Sequence, residues 1–104
     1  MKTKKDLTQQ EIMTVLRQHQ DILKKYKVRR IGLFGSYAKG KQNKRSDIDF
    51  LVEFEEPTFD NFMGLIKYLE KLFGKKVDIL TPEGVESIRV KEIARNIKRN
   101  VVYV

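Results

Sequence analysis

Three aspartates and one glycine–serine pair are the residues of this sequence whose types and spacing could do chemistry. Asp47 and Asp49 stand two apart at the start of the run Asp47–Phe54, and Asp78 lies inside a second run, Lys76–Leu80. Aspartate is disfavoured in strands, so its placement within two apolar runs calls for a reason. Strand alternation sets Asp47 and Asp49 on one face, about 6.6 Å apart along the backbone. Ile48, Phe50 and Val52 then turn to the opposite face. In the second run Asp78 and Leu80 share one face, Val77 and Ile79 the other. If the two strands are neighbours, all three carboxylates converge. Like charges so close raise one another's pKa unless a cation stands between them. Carboxylate oxygens suit Mg²⁺, which keeps waters and substrate phosphates in its shell. Two such ions about 3.5–4 Å apart can clamp the attacking and the leaving oxygen of a phosphoryl displacement. Taken singly, Asp47 also reads as a strand-start residue paired with Arg45, and Asp78 as a solvent-facing edge residue. Taken together, the register favours a shared metal site.

Gly35 and Ser36 follow the apolar run Ile31–Phe34. A glycine there lets a ligand reach the backbone. Ser36 opens a helical turn whose free amides and dipole favour a phosphate, and its hydroxyl adds a donor. A Gly-Ser after a strand is by itself an ordinary turn; here Asp-x-Asp comes ten residues later. Lys39, Lys41, Lys44 and Arg45 lie between them and either offset phosphate charge or are simply solvated. Tyr37 is open between stacking on a base and packing. His19 reads as a surface or boundary residue, and Phe59, Phe62 and Phe73 as core.

The elements that must position these residues follow from punctuation and periodicity. Thr8 and Glu11 form a capping-box pattern that opens a helix. Ile12, Val15, Leu16, Ile22 and Leu23 continue its apolar stripe to near Lys27. A buried strand Ile31–Phe34, a polar turn and loop over 36–46, and the strand Asp47–Phe54 come next. Pro57 stops that strand. Thr58–Phe73 has helical spacing, with Gly74 as its C-terminal cap. A strand Lys76–Leu80, a helix Gly84–Lys98 with Val85, Ile88, Ile93 and Ile97 on one side, and a β-prone tail Val101–Val104 complete the chain. The order α-β-turn-β-α-β-α-(β) predicts an α/β (α+β) fold, a small mixed sheet flanked by helices.

At 104 residues the length suits a single domain, 1–104. The sequence has no cysteine and one histidine, which excludes a disulfide framework, thiolate zinc sites and a histidine zinc cluster. Uncharged stretches fall short of a membrane span, and the basic start runs into polar residues, unlike a signal peptide. A soluble, cytoplasmic protein is expected. Lys and Arg number 22 against 14 Asp and Glu, a net charge of +8 that favours anionic partners. Because these residues are spread from Lys2 to Arg99, a solvated basic surface explains them equally well.

The stretch GSYAKGKQNKRSDIDFLVEF resembles the signature of the polymerase-beta-like nucleotidyltransferase superfamily. Gly35, Ser36, Ala38, Gly40, Arg45, Ser46, Asp47 and Asp49 stand where that pattern has them. A chain of this length is similar to the minimal nucleotidyltransferases. The resemblance implies that Gly35 and Ser36, with Arg45 and Ser46, bind the nucleotide. It implies that Asp47, Asp49 and Asp78 hold Mg²⁺, two ions, and that Asp78 helps deprotonate the attacking hydroxyl. It further implies ATP as substrate, AMP as the transferred group, and a tyrosine of a HEPN ribonuclease toxin as acceptor, with this chain as antitoxin. The alternative is a non-catalytic subunit that keeps the fold and binds a protein or nucleic acid through its basic surface. Direct nucleic-acid binding is open but not favoured, and homo- and hetero-oligomers both stay open.

Overall fold

The computed structural model describes residues 7–104. Lys2 and the basic start of the chain lie outside the described residues. The elements run α1 (Gln9–Gln18), α2 (Gln20–Lys25), β1 (Val28–Phe34), α3 (Gly35–Lys39), β2 (Ile48–Phe54), α4 (Phe59–Phe73), β3 (Val77–Leu80), α5 (Pro82–Glu86), α6 (Lys91–Asn100) and β4 (Val102–Tyr103). The expected capping box forms: Thr8 Oγ1 accepts from the Glu11 amide at 3.2 Å, and Glu11 Oε1 accepts from the Thr8 amide at 2.9 Å. Two donors that the helix itself cannot satisfy are paired this way.

Two helices expected to be continuous are broken. The first divides at His19, whose backbone leaves helical geometry (φ −117°, ψ 33°) while its Nδ1 pairs with the Val15 carbonyl oxygen at 2.7 Å. The helix expected over Gly84–Lys98 becomes α5 and α6. Pro82 occupies the first turn of α5, where its missing N–H is no loss. Thr81 Oγ1 accepts from the Gly84 amide at 3.1 Å, and Ser87 Oγ closes the other end by donating to the Gly84 carbonyl at 2.8 Å.

The sheet order is β3-β2-β1-β4. β1 runs antiparallel to both β2 and β4, while β3 lies parallel to β2, reached through α4. The tail therefore does supply an edge strand. One face of the sheet (Ile31, Leu33, Ile48, Phe50, Val52) packs with Ile12, Leu16, Leu23, Leu65 and Leu69 into the core. Each such fully buried side chain contributes about 1.5–3 kcal/mol. Phe62 and Phe73 pack against this core, but Phe59 does not: it is 75% exposed. Phe59 is the first residue of α4, whose fully buried positions begin only at Leu65, so helical spacing alone misplaces it. Among the described residues no helix is long and apolar enough to cross a membrane.

Candidate active site

The two aspartate strands are neighbours in the sheet. Asp49 of β2 pairs in register with Asp78 of β3 on one side and with Phe34 of β1 on the other. Parallel in-register partners lie about 4.8 Å apart and project to the same face. That face is the one opposite the core, since Ile48 and Phe50 are buried beneath it. Asp47 stands just before β2, two residues past the turn at 44–45. The Asp49 carboxyl is pushed up to about 6, first by burial and then by the negative charges of Asp78 and Asp47.

Gly35 meets this cluster directly. Its φ of +75° is one that side chains rarely adopt. A Cβ at that position would also collide with Oδ2 of Asp49. Two independent requirements thus fall on one residue, and the Asp49 carboxylate lies against the start of α3. Phe34, the N-cap of α3, offers its first amides no side-chain acceptor. Ser36 is partly buried beside them.

The loop before Asp47 is tied by its own polar groups. Ser46 Oγ accepts from the Asn43 amide at 2.9 Å, and Asn43 Oδ1 accepts from the Arg45 amide at 2.8 Å. Lys75 Nζ donates to the Lys44 carbonyl at 3.1 Å, tying this loop to the turn before β3. Asn43 and Lys75 were not singled out from sequence; nothing in their surroundings distinguishes them from the other polar loop residues. Arg45 is exposed and makes no ion pair with Asp47, so the pairing weighed from sequence is not formed. Tyr37 is fully buried in the core, which settles its role as packing.

Among the described residues, no ion pair engages Asp47, Asp49 or Asp78. Nor are any three acidic, histidine or cysteine side chains gathered closely enough to form a finished metal centre. The donor set itself, all carboxylate oxygen and mutually repelling, has the chemistry that a hard divalent cation satisfies.

A family model described as "Nucleotidyltransferase domain" matches residues 16–104. The chain belongs to this family. As a nucleotidyltransferase, it has relatives named for what they modify. A Methanocaldococcus jannaschii protein provisionally named a protein adenylyltransferase is 48% identical over 101 residues, covering 93% of this chain and 98% of the relative. Protein adenylyltransferase MntA of Thermococcus cleftensis is 41% identical over 100 residues, covering 94% and 97%. Among solved structures, one provisionally described as a minimal nucleotidyltransferase superposes with a TM-score of 0.74 at 24% identity, covering 95% of this chain and 98% of its own. A toxin–antitoxin complex with AMP-PNP gives 0.61 at 23% identity, covering 93% and 72%. These two show the same fold as the nucleotidyltransferase described here.

Proposed function

We propose that this nucleotidyltransferase moves AMP from ATP to a tyrosine hydroxyl of a HEPN-family toxin, as the antitoxin of a two-component pair in the cytoplasm. The reading treats residues 1–104 as one catalytic domain. The observation that carries it is the in-register pair Asp49–Asp78 lying beside the Gly35–Ser36 turn. The name of the Thermococcus cleftensis relative supports protein as the acceptor class, and the toxin–antitoxin neighbour with AMP-PNP supports an adenine nucleotide and a toxin partner.

In this reading the Gly35 and Ser36 amides and the Ser36 hydroxyl hold the triphosphate, with Ser46 and Arg45 at its flank. Asp47, Asp49 and Asp78 would hold Mg²⁺, which supplies charge neutralisation between carboxylates and phosphates. Asp78, the most exposed of the three, accepts the proton of the attacking hydroxyl. The new bond joins the tyrosine oxygen to the α-phosphorus. The bond from that phosphorus to the bridging oxygen breaks, and pyrophosphate leaves.

The test is co-expression with the product of a neighbouring HEPN-type reading frame, followed by intact mass measurement of that product. It should gain whole adenylyl groups, mapped to tyrosine, and none with the Asp47→Asn enzyme. Neutralisation by the Asp47→Asn protein without any mass change would replace this reading with inhibition by binding.

A further inference from the structure

The helix α6 is amphipathic yet buries none of its residues. An amphipathic helix of a globular protein ordinarily turns its apolar stripe into the core. Here Val90 and Ile93 are 53% and 50% exposed, and Ile97 continues their stripe half-buried. Around them stand Arg89, Lys91, Arg95, Lys98 and Arg99 with Glu92 as the one acidic residue, so residues 89–100 carry four of the chain's eight net positive charges. Lys98 pairs with Glu86 of α5 and fixes the helix there. Lys91 and Arg95 line a cleft between α5 and α6 floored by Val85, Ile88 and Ala94. α6 also packs against α3, the helix that opens the candidate active site.

From this placement we propose that α6 is the docking surface for the protein acceptor, and that it takes an acidic surface bearing apolar side chains. The inference rests on the proposed transfer to a protein. Aliphatic residues framed by charge match the apolar centre and polar rim of a protein interface. Single-stranded nucleic acid is instead held by aromatic stacking, and α6 has no aromatic residue. A second copy of the chain would set four net positive charges against four. A protein seated on α6 lies beside α3, the helix that opens the candidate active site.

The experiment measures binding apart from catalysis. A fluorescent glutamate–tyrosine copolymer and a fluorescent oligouridylate are titrated by anisotropy against the full chain. Two variants are compared with it, Arg89→Glu/Lys91→Glu/Arg95→Glu and Val90→Ser/Ile93→Ser. All of these side chains are exposed, so thermal melts should match the parent and show both variants folded. The copolymer should bind the parent and lose about tenfold or more in affinity with the charge variant. It should also lose several-fold with the apolar variant. Unchanged copolymer affinity in either folded variant overturns the proposal. So does oligouridylate binding that is tighter than the copolymer's and indifferent to Val90→Ser/Ile93→Ser, which would assign the helix to RNA. A parent that sediments as a dimer while the apolar variant is a monomer overturns it in favour of a second copy. AMP incorporation is read separately: transfer at unchanged KM by the α6 variants sinks the docking surface and leaves the transferase reading standing. Copolymer binding by an enzyme that transfers nothing to any protein does the reverse.

Discussion

Asp49 is held at a disadvantage by the fold that makes it useful. Its carboxyl titrates near 6 when folded against 3.8 in an ordinary aspartate, so the folded state binds its proton more tightly. The sign follows directly. Below the unfolded value both states are protonated and nothing is lost; as pH climbs through about 6 the folded state must ionise a half-buried group beside two others, and stability falls. Because the carboxylate is only half-buried, solvent screening holds the effect to about 1 kcal/mol. Urea unfolding with EDTA present, at pH 4.5 and 7.5, should therefore show a smaller loss for Asp49→Asn than for the parent. Identical pH slopes would mean that neither burial nor the neighbouring aspartates raise the Asp49 carboxyl. The same substitution, or Asp47→Asn, should lower AMP transfer by a factor of at least about 10², the loss seen when one preorganised charged or donor group is removed from a reacting centre. Transfer from labelled ATP at the parent rate by Asp49→Asn would show the motif to be structural.

Among the elements, the junction of β1 with α3 is the most constrained. Gly35→Ala would place a methyl group both in a left-handed conformation and against the Asp49 carboxylate. Strain of this kind costs about 1–3 kcal/mol. Adding Asp49→Ala should recover the steric part and leave the conformational part, giving a favourable coupling in a double-mutant cycle of denaturation energies. Strict additivity would show that the two residues do not touch. The need for glycine here was legible in sequence as access for a ligand; the crowding by Asp49 was not, since it depends on pairing between β1 and β2. The strands themselves were legible because alternation sorts Ile48, Phe50 and Val52 from Asp49, and Thr8 with Glu11 marked the first helix start through their own side chains. The breaks at His19 and at 87–90 were hidden because apolar residues keep helical spacing across both. Phe59 was misplaced for a related reason: periodicity identifies a face of a helix, not how far along its axis the core extends. The adjacency of Asp49 and Asp78 could only be posed as a condition, because strand order is a property of the sheet.

For the whole molecule, a net charge of +8 and a carboxylate cluster oppose each other in attracting a triphosphate. The positive charge acts at a distance and is screened within about 8–10 Å at ordinary ionic strength, whereas the carboxylates act at contact. ATP should accordingly bind at least about tenfold more weakly in EDTA than with Mg²⁺, a difference of about 1.4 kcal/mol by titration calorimetry. Equal affinity in both would sink the shared metal site. The parallel pairing of β2 with β3 also orders events in time. Asp47 and Asp49 take their places when β2 joins β1, strands separated by α3 and the loop that follows it. Asp78 arrives only after residues 55–76 have closed over α4, and such long-range parallel pairing is intrinsically slow. The cluster is thus finished by one of the later steps of folding. Under the roles proposed for the three aspartates, a chain in which β3 has not yet joined β2 should transfer no AMP, because it has two aspartates in place and no third.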